Sequence, residues 1–146
     1  MDTAQSLAAF THSEMLGILA RVDVDRLKAF AEPLIDALGD ITVVENRTGL
    51  VMLPMRDTAQ GTNFHLGEVL VSEAHIRVGA QQGYGMRRGR DLETVMAMAL
   101  VDLTVSIGVA HTECAAFLAK ESALQHQEDH DRLCQVEATR VDMETF

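Results

Sequence analysis

Residues 92–107 constrain this chain more than any other stretch. Leu92, Val95, Met96, Ala99, Leu103 and Ile107 recur at helical spacing, and Met98, Val101 and Val105 form a second row on the other side. The polar residues among them are Glu93, Thr94, Asp102, Thr104 and Ser106. A helix apolar nearly all round is buried on several sides. The stretch therefore predicts a helix, N-capped by Asp91, that packs either under a sheet or into another chain.

The sheet is supplied by the residues just before it. Ile41-Thr42-Val43-Val44 is rich in β-branched side chains, and Asn46-Arg47-Thr48-Gly49 carries turn chemistry before the apolar run Leu50-Val51-Met52-Leu53-Pro54-Met55. That pattern predicts a β-hairpin, with Pro54 at an edge or a strand end because it donates nothing to a ladder. After a loop at Asp57-Thr58-Ala59-Gln60-Gly61, residues 64–78 read as one long strand or two short ones. Ala74, Ile76 and Val78 alternate there with Glu73, His75 and Arg77, which gives one buried and one wet face. A phase shift near Gly67 suits a bulge. Residues 79–85 carry a turn into a last short strand.

Helices flank this block. Ser13 is placed to cap the first, with Met15, Leu16, Ile18 and Leu19 on its apolar face. Asp23 or Asp25 opens the second, which carries Val24, Leu27, Phe30 and Leu34. Pro33 kinks that helix or ends it near Glu32, and Gly39 is a stop. The last helix is amphipathic, with Cys114, Phe117, Leu118, Leu124 and Leu133 as its apolar positions, and residues 139–146 read as an aperiodic tail that docks on something. The expected fold is α+β: one domain over residues 1–146, with an antiparallel sheet of about four strands packed between N- and C-terminal helices. Residues 49–103 are its structural heart.

At 146 residues, 47% of them hydrophobic, the chain is one domain long and buries about two-thirds of its unfolded surface. Five Phe, one Tyr and no Trp leave the core to aliphatic side chains and eight Met, a residue that recurs at interaction surfaces. The net charge of −10 is uneven: residues 1–90 hold nine Lys/Arg against eleven Asp/Glu, and residues 91–146 hold three against eleven. Such a surface repels phosphate backbones, so nucleic acid is not an expected partner. Apolar runs fall short of the roughly 20 residues a membrane span needs, and Met1-Asp2-Thr3-Ala4-Gln5 lacks a signal peptide's basic and apolar regions. A cytoplasmic location follows as the expectation, with Cys114 and Cys134 as reduced thiols outside any Cys/His pairing signature.

The string Gly83-Tyr84-Gly85-Met86-Arg87-Arg88-Gly89-Arg90-Asp91 joins glycines to three arginines just before a helix N-terminus, where backbone N–H groups favour anions. One reading is a phosphate site. It matches neither the Walker pattern nor the dinucleotide fingerprint, and a strand-to-helix turn whose arginines are solvated, paired, or used in a polar subunit contact suits it better. His126 and His130 share a helical face, yet zinc wants three or four ligands, so they read as a solvated face and no metal is expected. Asp102, within an apolar helix, needs a partner because burying it alone is costly. A hydrogen bond to a helix end, to one of the arginines or across an interface meets that need better than a role as catalytic acid or base. No complete catalytic set emerges.

Thr48-Gly49-Leu50-Val51-Met52, Phe64-His65-Leu66-Gly67-Glu68-Val69-Leu70-Val71 with Glu73-Ala74, Gly83-Tyr84-Gly85, Gly89-Arg90-Asp91 with Asp102, and Arg140-Val141-Asp142 resemble the PhnG family in order and spacing. The resemblance runs from about Val43 onward; the N-terminal helices match in length and character. It implies a small subunit of the bacterial carbon–phosphorus lyase core complex, with PhnI-, PhnH- and PhnJ-like partners. That complex acts on Mg-ATP, attaching an alkylphosphonate to C1 of the ribose and displacing adenine. Unpartnered apolar patches also make the isolated chain a candidate for a homo-oligomer. The resemblance assigns this subunit no catalytic residue and no bound cofactor. Tyr84, Arg87, Arg88, Arg90, Asp102 and Arg140 are the expected ligand or subunit contacts. The alternative is a free-standing phosphate- or nucleotide-binding protein that uses the Arg87/Arg88/Arg90 loop.

Overall fold

The structure, a computed structural model, describes residues 9–142. The elements run α1 (His12–Leu19), α2 (Val24–Leu38), β1 (Thr42–Arg56), β2 (Asn63–Val78), β3 (Gln81–Arg88), α3 (Leu92–Ile107) and α4 (His111–Ala138). The three strands form one antiparallel sheet in the order β1-β2-β3. An α+β fold is present, with one strand fewer than the sequence suggested.

The missing strand is the expected hairpin at residues 41–55. β1 passes straight through Asn46-Arg47-Thr48-Gly49, and Gly49 pairs with Val71 in the ladder. A tight hairpin turn needs positive φ, and the glycines that adopt it are Gly39, Gly61, Gly79, Gly89 and Gly108, all at element ends. β2 offers an uninterrupted partner opposite these four residues, so a continuous ladder satisfies backbone groups that a turn would leave outside it. The hairpin forms instead at residues 57–62. There Asp57 accepts hydrogen bonds from the Ala59 and Gln60 N–H groups, and the Gly61 N–H donates to the Asp57 carbonyl. The ladder skips Leu66, since Leu53 faces Gly67 while Pro54 faces His65. That is the bulge the phase shift near Gly67 foretold, and residues 64–78 are indeed one strand.

α3 lies against β2 and β3 on one side and α2 on another. Thr94, Val95 and every residue from Ala97 to Thr104 are buried, so the middle of its apolar rows is covered within this chain, while Leu92 is exposed and Met96, Val105 and Ile107 are half-buried. Its N-cap is Asp91, which accepts from the Glu93 and Thr94 N–H groups. Thr11, not Ser13, caps α1: its hydroxyl accepts from the Glu14 N–H while the Glu14 carboxylate accepts from the Thr11 N–H, a reciprocal box that Ser13 lacks. Asp23 opens α2 and Gly39 ends it, and the helix continues through Pro33. Pro33 is exposed, while Leu27, Ala31, Leu34 and Leu38 are buried. Tertiary packing of that stripe outweighs the one helical hydrogen bond that proline removes.

α4 is held to α2 and α1 by side-chain contacts. Arg26 grips the buried Glu121 through two bonds of 2.9 and 3.0 Å, and Gln125 donates to the Ile18 carbonyl. Phe117 stacks on Phe30 at 4.0 Å between ring centroids. Cys114 and Leu118 are buried, whereas Leu124 and Leu133 are exposed, so the apolar face of α4 is shorter than its sequence suggested. Of the aperiodic tail, residues 143–146 lie outside the described residues, as do residues 1–8. No helix among the described residues is long and apolar enough to cross a membrane.

Candidate functional site

β3 sends the side chains of the arginine-rich string to different places. Gly83 and Gly85 face α3, where a Cβ at Gly83 would collide with the Ala99 carbonyl oxygen and one at Gly85 with the Val95 carbonyl oxygen. These glycines bring the strand backbone against a helix flank. They form no loop around an anion, and both have ordinary φ.

Arg87 follows on the same inward side. Its guanidinium donates to the Leu19 carbonyl at 2.7 Å and the Val22 carbonyl at 2.8 Å. It thus satisfies acceptors that the end of α1 leaves without a helical partner. Burial pushes its pKa below the ordinary arginine value, while Asp91 and Asp23 act in the other direction. Arg88 and Arg90 are exposed and make no ion pair among the described residues. Gly89 turns the chain out of the sheet at φ 102. Its N–H donates to the Leu70 carbonyl and its own carbonyl accepts from the Ser72 hydroxyl.

Asp102 lies beneath β3 and is almost wholly buried. One carboxylate oxygen accepts the Tyr84 backbone N–H at 2.8 Å, and the other lies 2.7 Å from His12 Nε2. Of the partners the sequence suggested, an arginine does not reach it. Its partners are a strand amide and an imidazole from the first turn of α1, and every buried side-chain nitrogen and oxygen among the described residues has a hydrogen-bond partner. His12 was not singled out from the sequence, and with the two residues 90 positions apart no local spacing reveals the pair.

On the outer face of the sheet the Tyr84 hydroxyl donates to Glu73 at 2.8 Å, and Arg47 Nε donates to the same carboxylate at 2.7 Å. The bond from Tyr84, and then that from Arg47, hold the Glu73 carboxyl below its usual range. Desolvation, and then the bond to Glu73, push the Tyr84 phenol up. His75 bonds Gln82 beside them. Arg140 is remote from this cluster and pairs with Glu137 and Asp142 near the end of α4.

The histidine face of α4 is solvated. His126 Nδ1 lies 2.7 Å from the Ser122 carbonyl, and no three His, Cys, Asp or Glu side chains among the described residues converge as a metal site. His130 Nε2 sits 3.6 Å from Cys134 Sγ. This i,i+4 thiol–imidazole contact was legible in the spacing and was missed. No third group orients it. Among the described residues no hydroxyl or thiol bonds His12 either, so the His12–Asp102 pair lacks a nucleophile.

The comparisons with known proteins bear on these placements. Residues 11–146 match the family model described as "Phosphonate metabolism protein PhnG". The chain belongs to the PhnG family. A PhnG relative from Rhizobium meliloti (strain 1021), named alpha-D-ribose 1-methylphosphonate 5-triphosphate synthase subunit PhnG, is 28% identical over 146 residues, covering 99% of this chain and 93% of its own. The PhnG match begins in the turn before α1, well ahead of the resemblance read near Val43. The segments that carried that resemblance fall on the β1–β2 ribbon, on β3, at the turn into α3, at Asp102 beneath β3 and, for Arg140-Val141-Asp142, just after α4.

Proposed function

We propose that this chain is a subunit, without catalytic residues of its own, of the carbon–phosphorus lyase core complex that joins an alkylphosphonate to C1 of the ribose of ATP. It works in the cytoplasm beside PhnI-, PhnH- and PhnJ-like subunits, and it binds no cofactor; Mg-ATP is a substrate of the assembly. In that reaction a phosphonate oxygen bonds to C1, the glycosidic bond to nitrogen breaks, and adenine leaves with the bonding pair and takes up a proton. The observation that carries this reading is the similarity, along nearly the full length of both chains, to the Rhizobium meliloti synthase subunit.

The geometry supports a supporting role. Arg87 is spent on α1, Asp102 on β3 and His12, and Gly83 and Gly85 on close packing with α3. Exposed Arg88 and Arg90 remain as contact residues. The competing reading, a free-standing nucleotide binder, makes those same arginines a ligand site.

Calorimetric titration of Mg-ATP into the isolated chain separates the two. The expected result is no saturable heat, with adenine release from ATP and methylphosphonate only when the other subunits are present. Saturable binding that disappears in Arg90→Ala would replace the subunit reading with the binding-protein one.

A further inference from the structure

The β1–β2 ribbon extends well past the body of the molecule. β3 pairs with β2 only over Val71–Val78, so residues 50–56 and 63–70 form a two-stranded arm. Isolated two-stranded ribbons are marginal in water, and a covered apolar face is what makes them stable. This arm has two such faces, both uncovered among the described residues. By register, Leu50, Met52 and Leu70 lie on one, with Leu50 and Met52 63% and 60% exposed and with Glu68 opposite Met52 and His65 opposite Pro54 on the same face. Val51, Leu53, Met55 and Phe64 lie on the other, each between 41% and 45% exposed. With Leu66 in the bulge, these side chains leave several hundred Å² of apolar surface in water, on the order of the ~800 Å² each partner gives to a standard interface.

We propose that the arm inserts between two apolar walls of a different protein chain, which covers both of its faces at once. The inference rests on the subunit reading above and assigns the surface that serves it. Shape argues against a second copy as the receiving cleft. A ribbon of this length is about 23 Å long, 10 Å wide and 10 Å thick, on the order of 2,000 Å³. Two hollows lined by described residues enclose ≈ 730 Å³ between α2 and α3 and ≈ 710 Å³ beside α1 and α4, open solvent included, each well short of that. Two arms stacked face to face would cover one face of each and leave the other wet.

Charge points the same way. Within residues 49–70 only Arg56, Asp57 and Glu68 are charged, for a net −1, while the whole chain carries −10. Two copies therefore repel through their bodies. A heterologous partner with a dry cleft and basic residues at its mouth meets both the apolar arm and the acidic body behind it.

The test co-expresses the full chain, tagged, with PhnI-, PhnH- and PhnJ-like subunits and weighs the partner recovered. Leu50→Ser/Met52→Ser alters one face of the arm and Leu53→Ser/Met55→Ser the other. All four residues are exposed, so the isolated variants keep the wild-type far-ultraviolet circular dichroism. Each pair is expected to lower partner recovery at least tenfold, and amide exchange over residues 50–56 and 63–70 is expected to slow at least tenfold in the wild-type complex. Wild-type recovery with both variants overturns the assignment, and loss with one variant alone overturns the two-walled cleft. A wild-type chain that sediments alone as a dimer, broken by these same substitutions, makes a second copy the occupant and overturns it too. If the wild-type chain recovers none of the subunits while remaining monomeric, the subunit reading itself falls and this inference with it.

Discussion

Asp102 shows how much one side chain holds in place. It ties the amide of Tyr84 on β3 to His12 at the start of α1, from a helix otherwise lined with apolar groups. Asp102→Ala leaves a buried N–H without its acceptor, which costs about 1–3 kcal/mol. Asp102→Asn keeps an acceptor for that N–H and should lose less; urea unfolding of both variants checks the order. Cys114 is a second buried group with a measurable signature. Burial pushes its thiol up to about 11 from 9.0, so the folded chain keeps a proton that the unfolded chain releases. The associated stability is fully present below pH 9 and is lost as pH rises towards 11. Urea midpoints measured across that window should fall for the wild type and fall less for Cys114→Ala. That Asp102 needed a partner was legible in its apolar surroundings. Which partner was not, because a strand amide carries no sequence signal and His12 is remote along the chain.

At the level of elements, the glycines of β3 decide how closely sheet and helix approach. Gly83→Ala drives a methyl into the backbone of α3, and overpacking of this kind costs about 1–3 kcal/mol. Gly49→Ala, on extended backbone with nothing within 4 Å of the new Cβ, should stay within about 0.5 kcal/mol of wild type. Thermal unfolding of the two variants gives the contrast. In the sequence the string from Gly83 to Asp91 admits an anion site, because the absence of a Cβ at Gly83 and Gly85 serves a phosphate and a helix flank equally well. The hairpin expected at residues 41–55 failed for a related reason. Asn46-Arg47-Thr48-Gly49 has the composition of a turn, but the length of β2 opposite it decides the matter, and that is a fact about pairing. Where periodicity itself carried the information, as in α3 and in the bulge beside Gly67, sequence and structure agree.

For the molecule as a whole, the two ends of the sheet have different tasks. The β3 end is sealed against α3, with Arg87 closing the end of α1. The other end leaves the body as a ribbon whose apolar side chains point both ways. The run Leu50-Val51-Met52-Leu53 was visible from the start as apolar at consecutive positions, which a strand buried on one face does not need. Sequence could not tell a strand buried twice within its own chain from one left bare, since that depends on where β3 stops. The bare ribbon also ties the chain's fate to supply. β1 is an edge strand of fifteen residues, Thr42–Arg56, long and apolar enough to template pairing with other chains. Copies made in excess of their assembly mates would be orphans, open to clumping and to proteolytic clearance. Under the proposed docking, a cell that makes this protein gains from translating it in step with the chain that covers the arm.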